Sequence, residues 1–158
     1  MPKITMSHLV RIITSDVKTE RDTSLEEAIQ ELSFEDLMIE CDALDEFRRT
    51  QESLYEKVRA LFFLYALHRF HLPKHYKING AGLLSFNANQ LILNRRFEEG
   101  IELFLEEQAD TGWNDTLSSA LAYSYYHLAL QYLANQVRRS VRSVKGNQWM
   151  FRMGHSSS

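Results

Sequence analysis

The sequence predicts an all-α fold: an antiparallel helical bundle of about six helices with one hairpin in the style of a helical repeat. Only two prolines and six glycines occur in 158 residues, and so few helix breakers favour long helices over many short strands. Apolar residues recur at helical spacing, and a hydrophobic fraction of 44% can form a core at this length. We expect an N-terminal arm or short helix at residues 1–23, a helical domain at 24–146 and a tail at 147–158.

Residues 1–23 fit more than one local structure. The apolar run at 10–13 suits a strand or part of a helix. We favour a short helix after Ser7, followed by a polar loop at 14–23. The apolar side of that helix would consist of Leu9, Ile12 and Ile13.

Capping patterns predict the next two helix starts. Ser24 precedes Glu27, and Ser33 precedes Asp36, at the three-residue spacing of a capping box. The first of these helices should reach about Leu32. The second should have one apolar and one strongly acidic face, and its apolar face would consist of Phe34, Leu37, Met38, Cys41, Leu44 and Phe47.

The most apolar helix, predicted at 53–71, should lie in the middle of the bundle. Its apolar residues cover more than half of its circumference, which is typical of a helix surrounded by others. Pro73 should end it. The apolar set is Leu54, Val58, Leu61, Phe62, Leu64, Tyr65, Leu67 and Phe70.

The C-terminal half predicts two shorter helices and one long one. The shorter helices, at 84–93 and 97–108, are joined by a basic link. After a break at Gly112, Asp115 should cap a helix of 115–145 that stops at Gly146. Residues expected to face inward from the second short helix are Phe97, Ile101, Phe104 and Leu105.

Charge is unevenly distributed along the chain. The net charge is −3, yet residues 20–46 hold eleven acids and one base, and only bases follow Asp115. Interleaved cations and aromatic rings near the C-terminus suit an acidic protein partner or phosphates and bases. The predicted partner-binding residues are Arg138, Arg142, Lys145, Trp149, Phe151 and Arg152.

Two other interpretations of this basic end stay open. Its bases could pair with the acidic helix around residues 34–47 of the same chain. They also fit a solvated helix end, because cations are favoured at the negative end of the helix dipole.

Three histidines, His68, His71 and His75, are weak candidates for a metal site. Zinc accepts three imidazoles plus water, but Pro73 interrupts the helix between them and no HExxH pattern is present. We favour a role at the end of an apolar helix, and we expect no metal and no cofactor.

Other polar patterns favour structural roles. The glycines at 80 and 82 fit no phosphate-binding spacing, so they predict a turn. Cys41 lies on an apolar helix face, where burial and neighbouring acids disfavour a nucleophile. An acidic ladder lacks the Glu-x-x-His partner of a di-iron bundle and predicts a solvated face; it consists of Glu98, Glu102 and Glu106. An enzyme is therefore not favoured for this chain alone.

Residues 86–108 resemble one tetratricopeptide repeat. The likeness lies in the stretch Phe97-Glu98-Glu99-Gly100-Ile101 after a short basic turn, with Gly100 where that family usually has alanine. No second copy follows at the family's offset of about 34 residues, and a stack needs about three units. The resemblance implies a hairpin that binds proteins.

Two segments resemble the helical N-terminal region of large bacterial proteins that carry a GHMP-type, sugar-kinase-like domain. They read SLYEKVRALFFLYALHRFHLP at 53–73 and QVRRSVRSVKGNQWMFR at 136–152. This resemblance implies a helical domain whose catalytic part lies outside this chain. No glycine-rich phosphate loop is present, so no catalytic residue is carried over.

The expected function is that of a non-enzymatic helical interaction or accessory domain that uses the basic and aromatic C-terminal surface. The alternatives are a domain of a larger enzyme and a nucleic-acid-associated protein. A protein partner or the chain's own further domain is expected, and a homodimer stays open.

The sequence also predicts a cytoplasmic protein without membrane contact. It has a single cysteine and no signal-peptide pattern at its start, which is typical of a reducing compartment. Its most apolar run, at 60–67, has eight residues, and a bilayer span needs about 20.

Overall fold

The structure, a computed structural model, describes residues 7–75 and 84–140, without the side chains of 137–140. These residues are helical and contain no β-strand, so the predicted all-α fold is confirmed. The elements are α1 (His8–Thr14), α2 (Lys18–Arg21), α3 (Leu25–Ile29), α4 (Phe34–Thr50), α5 (Leu54–Ala66), a π-helical turn (Leu67–His71), α6 (Leu72–His75), α7 (Phe86–Leu93), α8 (Phe97–Thr111) and α9 (Asp115–Ser140).

Helix α5 lies at the centre of the bundle. It packs on α4 along one side and on α9 along another, while α8 packs on α9 and α7 packs on α8. Helices α5 and α9 run antiparallel, since Leu54 lies near Gln136 and His68 contacts Ser118. The core between the helices includes the buried side chains of Leu44, Leu61, Leu64, Ile101, Phe104, Leu121 and Tyr125.

Serine hydroxyls cap the N-termini of five of the described helices. The Oγ atoms of Ser7, Ser24, Ser33, Ser53 and Ser85 each accept a hydrogen bond from the amide three residues ahead. This satisfies an amide that has no partner inside the helix.

The capping predictions are correct for the helix starts and less accurate for their details. Ser33 and Asp36 form a complete capping box. The helix after Ser24 ends at Ile29, three residues earlier than expected. The cap of α9 is Asn114, whose Oδ1 accepts from the Leu117 amide at 2.8 Å; the prediction of Asp115 is wrong, because Asp115 is already the first helical residue.

The N-terminal segment forms the expected helix α1, with its apolar side chains buried. The following polar stretch is not a loop throughout, because α2 forms within it. Glu20 in α2 holds this segment together: it accepts from Ser15 Oγ at 2.7 Å and pairs with Arg11 Nε at 2.8 Å.

The prediction that Pro73 ends the central helix is wrong. After α5 the chain widens into the π-helical turn, in which the Leu72 amide donates to the Leu67 carbonyl, and Pro73 lies in α6. A proline cannot donate a backbone hydrogen bond, so it cannot serve the His68 carbonyl five residues before it. Ser118 Oγ donates to that carbonyl at 2.8 Å instead, so α9 supplies the bond that Pro73 lacks.

The central helix is less enclosed than its apolar sequence predicts. Leu61, Leu64 and Leu67 are buried, but Phe62 and Phe70 are 37% and 50% exposed. Among the described residues, no helix has both the length and the apolar character needed to cross a membrane.

Helices α7 and α8 form a tight hairpin. A Cβ atom at Gly100 would lie 2.6 Å from Ile92 Cδ1, so the two helices approach closely at a residue without a side chain. The turn between them is a Schellman motif: the Arg96 amide donates to the Leu91 carbonyl and the Arg95 amide to the Ile92 carbonyl. Arg95 has a φ of 61°.

Candidate functional site

A buried polar network joins α4, α8 and α9. Arg48 is 2% exposed; its Nε donates to Asp45 Oδ1 at 2.8 Å and its Nη1 donates to Glu98 Oε2 at 2.8 Å. Tyr125 OH donates to the same Asp45 oxygen at 2.9 Å. Arg49 Nε donates to Asp45 Oδ2 at 2.8 Å, so the carboxylate of Asp45 accepts hydrogen bonds from three side chains.

This network holds helices together and is poorly suited to proton transfer. Burial by itself would lower the pKa of Arg48, but the carboxylates of Asp45 and Glu98 outweigh that effect and raise the pKa. Burial, followed by the charge of Asp45, raises the pKa of Tyr125 well above its usual value. Both groups therefore keep their protons near neutral pH, whereas a general acid or base needs a pKa near the working pH.

The acidic ladder is not simply a solvated face. Glu98 and Glu102 pair across helices with Arg48 and Arg49, at 2.8 and 3.0 Å, while Glu106 is exposed. Two members of the ladder therefore bind α8 to α4.

The three candidate histidines do not converge on a metal site. His68 is buried and its Nδ1 lies 3.2 Å from Ser118 Oγ. His71 is half-buried and His75 is exposed. In the part of the chain that the structure describes, no group of three or more His, Cys, Asp or Glu could hold a metal ion.

Cys41 is buried in the core, as predicted. Burial raises the pKa of its thiol strongly, and the charges of Asp42, Glu40 and Asp45 add to this effect. The thiolate that a nucleophile needs is therefore disfavoured at this position.

Most of the predicted partner-binding residues lie outside the described part of the chain. Arg138 belongs to the last turn of α9, with its side chain not described. The glycines at 80 and 82 and the other predicted partner-binding residues lie outside the described residues; those partner-binding residues are Arg142, Lys145, Trp149, Phe151 and Arg152.

An exposed apolar groove runs between the N-terminal half of α5 and the C-terminal half of α9. It has a volume of about 460 Å³. Tyr55, Phe62 and Leu133 are 59%, 37% and 38% exposed, and the apolar surface continues along α9 through Leu130 and Tyr126. We call this surface the α5–α9 groove; it is lined by Leu54, Tyr55, Val58, Arg59, Phe62, Leu133 and Gln136.

Arg59 is the charged residue in the lining of the α5–α9 groove. Its guanidinium donates to the Arg21 carbonyl and, at 3.3 Å, to Tyr55 OH. Within the described residues it forms no ion pair. The groove therefore combines an apolar floor with one arginine that lacks a carboxylate partner there.

A second depression lies between α7, α8 and α9. It has a volume of about 360 Å³, and we call it the α7–α9 cleft. The ring of His127 stacks on Phe97, with centroids 5.3 Å apart, and lies 4.2 Å from the ring of Tyr123. The cleft is lined by Asn89, Ile92, Leu93, Arg95, Phe97, Phe104, Ala120 and Tyr123.

Sequence reasoning missed both surfaces. It assigned Phe62 and the rest of the apolar set of α5 to the interior. A helix that is apolar on all sides can also have an exposed apolar face, because its neighbours can leave part of its circumference uncovered. On α9 the signal was the spacing of Tyr126, Leu130 and Leu133, four and then three residues apart, which forms one stripe on a helix.

No protein-family model, curated protein or solved structure matches this chain. The groove, the cleft and the buried network are therefore interpreted from their own geometry.

Proposed function

We propose that this chain is a non-enzymatic helical interaction domain, and that it docks an amphipathic helix of a protein partner in the α5–α9 groove. The observation that carries the proposal is the exposed apolar surface of that groove, formed by Tyr55, Phe62 and Leu133. Apolar surfaces of this kind, bordered by polar residues, are typical of interaction sites.

The shape of the groove favours a helix as its occupant. Two antiparallel helices leave a long, straight depression, and an amphipathic helix fills such a groove with residues spaced i, i+3, i+4 and i+7. The exposed residues of α9 have the same spacing, so they can interlock with a helix that lies alongside them.

Charge favours an occupant with acidic residues beside its apolar stripe. Arg59 in the groove pairs with no carboxylate among the described residues. On the other wall, α9 has no acid after Asp115. Beyond Gln136, all the charged residues of the sequence are bases. A carboxylate on the partner would pair with Arg59 in partly dehydrated surroundings, where such a pair is stronger than in bulk water.

The test uses two synthetic 18-residue helical peptides with the same leucine stripe. One has glutamates beside the stripe and the other has lysines. Fluorescence anisotropy of each labelled peptide would be measured with the native chain, with Leu133→Asp, and with Ile39→Asp. Ile39 is a matched control because it is an exposed apolar residue on α4, 63% accessible, outside the groove.

We expect the glutamate peptide to bind the native chain and Ile39→Asp equally, and to lose at least about tenfold in affinity with Leu133→Asp. The lysine peptide should bind more weakly than the glutamate peptide, by a margin that narrows with added salt. No binding at about millimolar glutamate peptide, or equal binding by both variants, would overturn the proposal. So would a native dimer that Leu133→Asp converts to a monomer, because a second copy would then be the occupant.

A further inference from the structure

The α7–α9 cleft holds an arginine in a backbone conformation that arginine disfavours. Arg95 occupies the left-handed position after α7, where the Schellman motif usually has glycine. A side chain there costs about 1 kcal/mol or more, because Cβ crowds the following carbonyl. Glycine would remove that cost without breaking either backbone hydrogen bond of the motif.

The side chain of Arg95 has no ion-pair partner within the described ranges. Its neighbour Arg96 differs, because it pairs with Glu99. Arg95 lines the cleft, and burial followed by the charge of Arg95 lowers the pKa of the partly buried His127. Arg95 is therefore a solvent-exposed arginine at the edge of this cleft, free to pair with an incoming anion.

The remaining lining is aromatic and aliphatic. Phe97 is 3% exposed and forms part of the floor, whereas Tyr123 is 50% exposed and can contact an incoming group. Asn89 adds one neutral amide. The volume of about 360 Å³ lies at the lower end of the range for small-molecule sites, about 300–1,000 Å³.

We propose that the α7–α9 cleft binds a small aromatic carboxylate. The carboxylate pairs with the guanidinium fork of Arg95, which matches its geometry with two parallel hydrogen bonds. The ring packs against Tyr123 and Phe97, in the offset or edge-on arrangements that aromatic pairs prefer. A single arginine with one amide suits a singly charged anion better than a phosphate dianion.

The test uses 3-phenylpropionate as the probe and 3-phenylpropanol as its neutral counterpart, with binding measured by saturation-transfer NMR and calorimetry. Arg95→Gly is the decisive variant because the structure predicts opposite effects on folding and binding. The melting temperature should rise by about 2–4 °C, while the affinity for 3-phenylpropionate should fall at least about tenfold. Arg69→Ala removes an exposed arginine elsewhere and should change neither quantity.

Two further comparisons make the result specific to this cleft. Tyr123→Ala should lower the affinity for 3-phenylpropionate, and Leu133→Asp in the α5–α9 groove should leave that affinity unchanged. The proposal is overturned if Arg95→Gly binds the probe as well as the native chain. It is also overturned if 3-phenylpropanol binds equally well, or if 3-phenylpropionate does not bind at about 10 mM, a concentration that already corresponds to a very weak complex.

Discussion

At the scale of single residues, the core of this chain contains polar side chains that are paired with groups on other helices. His68 is 2% exposed and lies between the Ser118 hydroxyl and the ring of Tyr125, 5.8 Å away. The Ser118 hydroxyl has one proton, which it donates to the His68 carbonyl. The imidazole therefore donates from Nδ1 to Ser118 Oγ, and burial, which lowers its pKa to about 4, keeps it neutral near pH 7.

The neutral state of His68 makes stability depend on pH. Burial lowers the pKa of His68 to about 4, whereas an unfolded histidine has a pKa of about 6.5. Between these values the unfolded chain binds more protons than the folded chain, so stability falls as the pH is lowered from about 6.5 to about 4. From pH 7 to pH 4.5 the contribution of His68 should be a loss of roughly 2–3 kcal/mol.

His68→Gln tests this contribution, since glutamine does not titrate. Urea unfolding at pH 7 and pH 4.5 should show a smaller pH-dependent loss for His68→Gln than for the native chain, although the variant is less stable at pH 7. His75→Gln changes an exposed histidine and should keep the native pH dependence. An unchanged difference between the two pH values in His68→Gln would contradict the assignment.

The sequence predicted the burial of apolar residues better than the burial of charged ones. Cys41 was correctly assigned to the core because its apolar neighbours recur at helical spacing. Arg48 and Asp45 were not recognised as buried, because a charged pair three residues apart resembles the solvated pairs of an exposed helix. Their partners Glu98 and Tyr125 lie 50 and 80 residues away, and single-sequence periodicity carries no information about contacts at that distance.

At the scale of elements, the serine-capped helix starts were easier to predict than the interruption of the central helix. A serine cap is a local signal that three residues suffice to show, and Ser24, Ser33 and Ser53 each mark a true start. The π-helical turn at Leu67–His71 has no such signal. Within this turn the His68 carbonyl, which Pro73 cannot pair with, accepts from the Ser118 hydroxyl of α9.

The close approach of α7 and α8 leads to a prediction for Gly100. Alanine is favoured over glycine inside a helix by about 1 kcal/mol, but its Cβ would meet Ile92 Cδ1 at 2.6 Å. We expect Gly100→Ala to change the free energy of unfolding by less than about 0.5 kcal/mol, because the higher helix propensity of alanine is offset by the cost of displacing the Ile92 side chain.

A shorter side chain at position 92 should let the higher helix propensity of alanine at position 100 stabilise the chain. In an Ile92→Val background, which lacks Cδ1 but keeps Cγ1 at 3.3 Å from the added Cβ, Gly100→Ala should stabilise the chain by about 0.5–1 kcal/mol. A double-mutant cycle from urea unfolding measures the coupling. Gly112→Ala serves as a contrast, because Gly112 has open space around it but a φ of 82°, so alanine there should destabilise in both backgrounds. Equal effects of Gly100→Ala with Ile92 and with valine would show that the two side chains do not meet.

At the scale of the whole molecule, two carboxylates of the acidic N-terminal half join helices of the bundle. Asp45 accepts from Tyr125 of α9 at 2.9 Å. Glu40, which is 9% exposed, accepts from the amides of His8 and Leu9 at 3.0 Å and from Ser7 Oγ. A carboxylate on α4 therefore caps α1, where the helix dipole favours negative charge. Since α1 also packs on α5, the first described helix is joined to the centre of the bundle.

The joint between α1 and α4 predicts that the described helices unfold together. Glu40→Ala leaves two buried or half-buried amides without their acceptor, and each such loss costs about 1–3 kcal/mol. The free energy of unfolding should fall by about 2–4 kcal/mol. Because Leu9, Ile12 and Ile13 remain in the core, circular dichroism and tryptophan fluorescence should still report one coincident transition.

The control is Glu35→Ala, which removes an exposed acid at the start of the same helix. It should lower the free energy of unfolding by less than about 1 kcal/mol. If Glu40→Ala instead raised amide exchange in residues 8–14 alone and left global stability unchanged, α1 would be an independent arm, and its buried side chains would contribute little to the rest of the fold.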